Sequence, residues 1–238
     1  MLAQTNLQLY RELAIAGWSS ADLTRARAAY DLARELFATA YRPSHKPFVC
    51  HLVGTAGALA AWDTKPDVVL AGLLHSTYLF GDFGDGEVGA TTRRRRHVTS
   101  RVGEHAEAII HRYTAQRRDA FDSIRDREVS LVRLADRLDE WTDAGPRFSP
   151  CKGIDGRLEG EALAAKTLSL AADLVGPVAE QMFARAIAEC DASEPDPTLI
   201  TNDRAFHCVD PGTGSLRRSA LGRRIAKLTR KVKKRTSA

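Results

Sequence analysis

Apolar residues recur at helical spacing along most of this chain. In the segment 19–41, which opens with Ser19 and Ser20 as candidate caps, Leu, Ala, Tyr and Phe side chains return every three or four positions. Comparable patterns predict further helices over 47–62, 66–80, 98–114, 126–141, 161–176 and 177–190. No segment shows the alternation of apolar and polar residues that is typical of a half-buried strand. The pattern therefore predicts an all-α helical bundle.

The segment 66–80 is the candidate for the centre of this bundle. It begins with Pro66, which suits a first helical turn, and its run VVLAGLL is apolar on nearly every side. The segment 47–62 is also strongly apolar and lies one short turn earlier, so the two predict adjacent core helices. Polar residues 81–96, with four glycines, predict a loop that is able to cover a site, and 142–160 predict a second long loop.

The helical pattern ends near residue 192, which divides the chain. We predict a helical domain over 1–192, a proline- and glycine-containing linker over 193–214, and a basic amphipathic helix over 215–238. From Pro211 onward there are ten Lys or Arg and no acidic residue, whereas the first 210 residues carry 25 basic and 30 acidic residues. The tail is therefore expected to contact an anionic surface or its own acidic domain. Nucleic acid is less favoured, because the tail has no aromatic residue for base stacking.

Several classes of protein do not fit the composition. No run approaches the roughly 20 apolar residues that cross a bilayer, and no basic start followed by an apolar block indicates a secretory signal. The four cysteines are far apart and form no CxxC pair, so zinc fingers and dithiol redox motifs have no support. We expect a reduced, cytoplasmic protein that is not transmembrane.

Candidate chemistry comes from three segments. His75 ends the apolar run AGLL, His51 lies 24 positions earlier, and Asp136 lies inside LVRLADRLDE at the margin of a leucine-rich helix face. Two imidazoles and a carboxylate from three different helices predict the ligand set of a divalent metal. The alternative is that the histidines are hydrogen-bonded core residues and that Asp136 pairs with Arg133 or Arg137.

These motifs also resemble those of a known family. The segments RPSHKPFVCHLVGTAGAL, PDVVLAGLLHS and LVRLADRLDE resemble, in order and spacing, the HD-type hydrolase domain of RelA/SpoT proteins, over roughly residues 20 to 188. That family removes the 3′-pyrophosphate from (p)ppGpp. The resemblance implies an HD-like helical bundle and a divalent metal (Mn, Fe, Zn or Co) held by His51, His75 and Asp136.

The resemblance and the local sequence also nominate residues around the metal. Arg42, with Ser44 two positions later, corresponds to positions that precede the first metal histidine, and the arginine is implied to contact the nucleotide. Glu140 takes the position of an asparagine that follows the last metal aspartate. Tyr78 is a candidate proton donor or a core residue. The run RRRR at 93–96 is a candidate phosphate contact or a solvated surface.

The chain departs from the family at its acidic positions. Ser76 replaces the aspartate of the His-Asp pair, and Leu79 and Phe80 replace an acidic pair implicated in activating water. Ser76 is a candidate to hold a metal-bound water or orient His75, or its hydroxyl bonds a backbone carbonyl. Asp82 and Asp85 are candidates to replace the acidic pair or are turn residues.

Three hypotheses about function therefore stand. The first is a diverged metal-dependent hydrolase that acts on a nucleotide or another phosphorylated small molecule, with Arg42 and Ser44 binding the substrate and Ser76, Tyr78 and Glu140 assisting the chemistry. The second is a catalytically degenerate domain that binds a ligand or a partner. The third is a non-haem iron oxidase, because two histidines and one carboxylate also suit Fe(II).

Overall fold

Helices make up most of the described chain, which in this computed structural model comprises residues 2–116, 125–148, 160–200 and 207–208. They are α1 (Asn6–Ile15), α2 (Ser20–Phe37), α3 (Phe48–Ala61), α4 (Pro66–Leu74), α5 (Thr77–Phe80), α6 (Thr92–Val102), α7 (Glu104–Ala115), α8 (Arg127–Thr142), α9 (Gly145–Phe148), α10 (Gly160–Leu174) and α11 (Pro177–Asp191). The all-α prediction is confirmed. The helix α1 was not predicted, and α9 lies in the segment that was predicted to be a loop.

Side-chain caps fix where several of these helices begin. Ser19 accepts a hydrogen bond from the backbone N–H of Asp22 at the start of α2, and Asp126 accepts from two backbone N–H groups at the start of α8. Thr5 forms a reciprocal capping box with Gln8 at the start of α1. Each cap satisfies amide groups that have no partner inside the helix, so the local sequence determines these boundaries.

The predicted continuous helix over 66–80 is wrong in one respect that matters for the site. The helix α4 ends at Leu74, His75 caps it, and the backbone leaves helical geometry at Ser76 before the short α5 begins. Apolar residues continue through the break, so periodicity alone does not register the change of direction. As a result, His75 stands at the end of a buried helix and not in its middle.

The predicted helix over 98–114 is two helices. Thr91 caps α6, which therefore starts inside the segment that was predicted to be a loop, and Gly103, with φ of 89°, separates α6 from α7. A residue with a side chain is strained at this φ, so the helix turns at the glycine. The arginine run 93–96 consequently lies in the first turns of α6.

Two of these arginines form ion pairs within the protein. Arg94 is buried and pairs with Asp85, and it also donates to the carbonyl oxygens of Glu87 and Gly89. Arg95 forms two hydrogen bonds of 2.7 Å with the buried carboxylate of Glu107. Arg94 thereby fastens the glycine-rich loop to α6.

The core lies between α3 and α4 and the helices around them. Both helices are buried over most of their length, and α3 packs extensively against α8 while α4 packs against α2, α7 and α8. The hairpin of α10 and α11 covers α8, where Phe183 lies between Trp62 and Trp141 with ring centroids 6.3 and 5.8 Å away. The mutual contact of α3, α4 and α8 is the part of the fold that positions the candidate site.

The predicted linker and tail are described only in part. Residues Pro197–Leu199 form one 3₁₀ turn, and His207–Cys208 pair in antiparallel fashion with Ala40–Tyr41, a short strand pair that was not predicted. The predicted basic helix over 215–238 lies outside the described residues. Among the helices that are described, none has the length and hydrophobicity to cross a membrane.

We predict that Phe183 contributes much of the stability that joins the terminal hairpin to the bundle. Phe183→Ala removes a fully buried ring from between two tryptophans and is expected to lower the free energy of unfolding by about 3–5 kcal/mol. Val178→Ala on the same helix changes an exposed side chain and is expected to cost no more than about 0.5 kcal/mol. Urea unfolding followed by circular dichroism measures both, and equal losses contradict the prediction.

Candidate metal centre

The three predicted metal ligands meet where α3, α4 and α8 pack together. His51 lies in the first turn of α3, His75 at the end of α4, and Asp136 in the middle of α8. Their ligand atoms all lie within 4.8 Å of one another. His51 Nε2 is 3.4 Å from His75 Nε2 and 3.1 Å from Asp136 Oδ1, and the last two atoms are 3.9 Å apart.

The partners of His51 determine which of its ring nitrogens carries a lone pair. Its Nδ1 lies 2.7 Å from Oδ2 of the buried Asp139, and its Nε2 lies 2.7 Å from Nη1 of Arg42. A carboxylate accepts and a guanidinium donates, so Nδ1 bears the proton and Nε2 is unprotonated. The lone pair of Nε2 therefore points into the cluster.

A backbone carbonyl determines the tautomer of His75 in the same way that Asp139 does for His51. Its Nδ1 donates to the carbonyl oxygen of Gly72 at 2.7 Å, which leaves the Nε2 lone pair facing the cluster. Burial lowers the pKa of His75 to about 4, so the ring is neutral at physiological pH. A neutral imidazole is the form that binds a metal.

Asp136 supplies the third lone pair. Tyr113 donates its phenolic hydrogen to Oδ2 at 3.0 Å, whereas Oδ1 is buried and has no hydrogen-bond partner. Burial by itself raises the pKa of Asp136, but the neighbouring His51, His75 and Arg42 side chains outweigh burial and hold it well below the usual range. An ionised carboxylate oxygen without a hydrogen-bond donor is costly in a protein interior unless a cation lies nearby.

These atoms fit a small divalent cation. Two imidazole nitrogens and one carboxylate oxygen all present lone pairs, and none of the three provides a hydrogen for another. Ligands of tetrahedral or octahedral ions with bonds of about 2.0–2.1 Å lie roughly 2.9–3.4 Å apart. Two of the three separations fall in that interval, and the third is slightly wider. Three protein ligands leave further coordination positions for water or substrate.

A positive charge lies beside the cluster on the side of the half-exposed Glu140, which is the mouth of the cluster. Arg42 Nη1 lies 3.6 Å from Asp136 Oδ1, and Nη2 lies 3.4 Å from Oε1 of the half-exposed Glu140. Burial lowers the pKa of Arg42, but the carboxylates of Glu140, Asp136 and Asp139 outweigh it, and the pKa is raised. A tight turn orients this arginine, because the Arg42 N–H donates to the Lys46 carbonyl at 2.9 Å. Arg42 is thus a positively charged group held between Asp136 and Glu140.

Other predicted site residues are placed differently. Tyr78 is buried and donates to Glu107 Oε1 at 2.8 Å, so its hydroxyl is engaged by an ion pair outside the cluster. Burial and this hydrogen bond raise the pKa of Tyr78. Ser76 is buried directly after His75, and Ser44 lies in the turn between Arg42 and Lys46 at intermediate exposure.

The two aspartates of the glycine-rich loop stabilise turns of the backbone. Asp82 accepts a hydrogen bond from the Gly84 N–H, and Asp85 accepts from the Glu87 N–H and pairs with Arg94. This arrangement corresponds to the turn alternative, and neither carboxylate belongs to the cluster of potential metal ligands.

Three residues of the site were missed by the sequence argument. Asp139 and Tyr113 bond two of the ligands, and Lys46 bonds Asp139. Asp139 had a usable signal, since it is an acidic residue one helical turn after Asp136 and next to Leu138 in the core face. Tyr113 and Lys46 had none, because only the tertiary contacts of α7 and of the turn before α3 bring them to the cluster.

Comparison with known proteins adds one similarity. Residues 32–118 match a family described as a domain of unknown function, DUF6817. The match runs from α2 past the end of α7 and includes His51 and His75, but it covers less than half of the chain and ends before Asp136. No curated protein matches the chain.

The neutral state of His75 predicts a specific pH dependence of stability. In the unfolded chain the ring binds a proton near pH 6.5, whereas in the fold it does so near pH 4. The unfolded state therefore binds more protons between these values, and stability is expected to fall as the pH drops from about 6.5 to 4. The contribution of this group is on the order of 3 kcal/mol.

Urea unfolding of chelator-treated protein at a series of pH values measures this effect. His75→Gln, which does not titrate in this range, is expected to flatten the profile between pH 6.5 and 4. His97→Gln, at an exposed histidine of α6, serves as the control and is expected to leave the slope unchanged. An identical slope in the wild-type and His75→Gln proteins contradicts the assignment.

Proposed function

We propose that this chain is a diverged HD-type, metal-dependent hydrolase that acts on a nucleotide or another phosphorylated small molecule. The observation that carries the proposal is the convergence of three lone pairs, from His51, His75 and Asp136, in which Asp136 Oδ1 is buried without a hydrogen-bond partner. The order and spacing of the motifs around these residues support the HD-type assignment.

A divalent metal, when bound by these three residues, lowers the pKa of a coordinated water and polarises a phosphoryl oxygen. The residues of the chain supply the remaining functions. The Nδ1 atoms of His51 and His75 bond Asp139 and the Gly72 carbonyl, so Nε2 is the nitrogen that each ring would offer to the metal. Tyr113 occupies one oxygen of Asp136, which leaves Oδ1 as the atom that this residue would offer. Glu140, at the mouth and outside the ligand set, is the carboxylate available to accept a proton from water.

The positive charge of Arg42 beside the cluster supports the proposed substrate class. Arg42 presents a permanently charged planar donor within 4 Å of the ligand atoms, and a guanidinium binds phosphate oxygens well. We therefore assign Arg42 to the substrate phosphate, with Ser44 in the same turn. Tyr78 is not part of this proposal, since its hydroxyl is bonded to Glu107.

A non-haem iron oxidase is the second candidate. The observation in its favour is the ligand set itself, because two histidines and one carboxylate are the ligands that Fe(II) oxygenases use. The chain also has Leu79 and Phe80 where the resembling hydrolases carry acidic residues. We further propose a cytoplasmic location, in keeping with the separated cysteines, of which Cys50 and Cys190 are free.

We predict that the protein binds about one Mn, Fe, Zn or Co ion per chain. Elemental analysis of the purified protein, before and after addition of each ion, measures this. His75→Ala removes a ligand and is expected to lower the bound metal to background, whereas His97→Ala, at an exposed histidine of α6, is expected to retain it. Wild-type protein that carries no metal and takes up none would falsify the proposed site.

We predict that the metal-loaded protein cleaves phosphate bonds of nucleotides without oxygen. Release of phosphate or pyrophosphate from a nucleotide panel under anaerobic conditions measures this activity. Arg42→Ala removes a charged hydrogen bond to phosphate and is expected to lower kcat/KM by about 10–100-fold. Arg27→Ala, at an arginine that is 79% exposed, is the control and is expected to have no effect.

The same assay separates the three hypotheses. Anaerobic release supports the hydrolase. Turnover that requires iron and oxygen supports the oxidase instead. Metal or nucleotide binding without turnover in either atmosphere overturns both enzymatic hypotheses in favour of a binding domain.

A further inference from the structure

Asp139 is the most deeply buried carboxylate at the candidate centre, and it is not one of the metal ligands. Its side chain is 1% exposed, and its Oδ2 lies 2.7 Å from Nδ1 of His51, on the side of the ring opposite to the cluster. A buried carboxylate has to be compensated, so its location calls for a specific role.

Lys46 anchors this carboxylate from the other side. Its Nζ lies 2.8 Å from Oδ1 and 3.0 Å from Oδ2 of Asp139, and it also pairs with Asp143. The lysine side chain is only 14% exposed and belongs to the turn whose backbone hydrogen bond also places Arg42. Lys46, Asp139 and His51 therefore form a continuous chain of charge-assisted hydrogen bonds that ends at a metal ligand.

The helix α3 has room for Asp139 only because of a glycine. Gly54 follows His51 by one helical turn, and a Cβ at this position would overlap Asp139 Oδ1. The sequence of α3 thus provides both the histidine and the gap that admits its partner. A residue with a side chain at position 54 would therefore displace the carboxylate of Asp139 from its position beside α3.

Two carboxylates flank the ring of His51, one at each nitrogen. Asp139 lies 2.7 Å from Nδ1, and Asp136 lies 3.1 Å from Nε2. If the proton moved to Nε2, it would bond Asp136 and would occupy the position from which the histidine binds a metal. The shorter contact, the anchor at Lys46 and the guanidinium donor at Nε2 all favour the proton on Nδ1.

We propose that Asp139, anchored by Lys46, is a positioning residue that keeps the proton of His51 on Nδ1 and so directs the Nε2 lone pair at the metal position. This inference rests on the proposed metal-dependent function, and it assigns a role to two residues that are neither proposed metal ligands nor proposed substrate contacts.

The test compares Asp139→Asn with Asp143→Asn. Both substitutions remove a carboxylate charge that faces Lys46, but only Asp139 contacts Nδ1 of His51. In metal-free, ¹⁵N-labelled protein, the ring nitrogen shifts of His51 report its tautomer. We expect the Nδ1–H form in the wild type and in Asp143→Asn, and a shift toward the Nε2–H form in Asp139→Asn, where a weaker neutral amide faces the ring.

Titration with Co²⁺, followed by its visible absorption, gives the second measurement. Asp139→Asn is expected to weaken Co²⁺ binding by about 10–100-fold, while Asp143→Asn stays within about threefold of the wild type. Lys46→Met keeps both carboxylates and removes only the anchor, so it is expected to shift both measurements in the same direction by a smaller amount. If Asp139→Asn does not fold, Lys46→Met provides the test.

The outcomes distinguish this inference from the function on which it rests. The positioning role is overturned if Asp139→Asn changes neither the tautomer of His51 nor the affinity for Co²⁺, and this outcome leaves the metal site intact. If Asp139→Asn does not fold, the same result in Lys46→Met has the same meaning. If Asp139→Asn changes the tautomer of His51 but the wild-type protein binds no Co²⁺, the positioning role is supported and the metal-dependent function is overturned.

Discussion

The structure of this site depends on one constraint, which is that three buried acceptor atoms face one another and none supplies a hydrogen to another; His51 Nε2 accepts from Arg42 Nη1 at 2.7 Å. His51 Nε2, His75 Nε2 and Asp136 Oδ1 lie 3.1–3.9 Å apart inside a helical bundle. Such an arrangement is unfavourable unless a cation is near, because acceptors in a low-dielectric interior repel one another. The Arg42 guanidinium provides one positive group at this position, and the same geometry suits a divalent ion.

The surrounding residues keep that constraint in place. Every ligand has its second polar atom bonded elsewhere: His51 to Asp139, His75 to the Gly72 carbonyl and Asp136 to Tyr113. These bonds leave a single direction for each lone pair. Metal sites are commonly oriented by such outer partners, whose loss weakens binding even though they do not touch the ion. The orientation of the three candidate ligands is therefore set by residues that lie outside the cluster.

The arginine run and the aspartates of the glycine-rich loop, which were candidates for phosphate binding and for replacing the acidic pair, have mainly structural contacts. Arg94 fastens the glycine-rich loop through Asp85, and Arg95 pairs with Glu107, which also accepts the hydroxyl of Tyr78. These groups stabilise the face of the bundle formed by α5, α6 and α7. The polar chemistry of the site is instead concentrated where the turn before α3 meets α8.

The sequence by itself determined the helical class, most helix starts and the three candidate ligands. Caps, prolines and apolar spacing act within one or two turns, so Ser19, Pro66 and the LADRL segment were interpretable without knowledge of the fold. The break after His75 and the split at Gly103 were not anticipated, since apolar periodicity continues through the first and the second depends on one backbone angle. Only the tertiary structure decided that Asp139, Lys46 and Tyr113 belong to the site. Their roles arise from contacts across 88, 93 and 23 positions of the chain, and the packing of α3, α7 and α8 sets those distances.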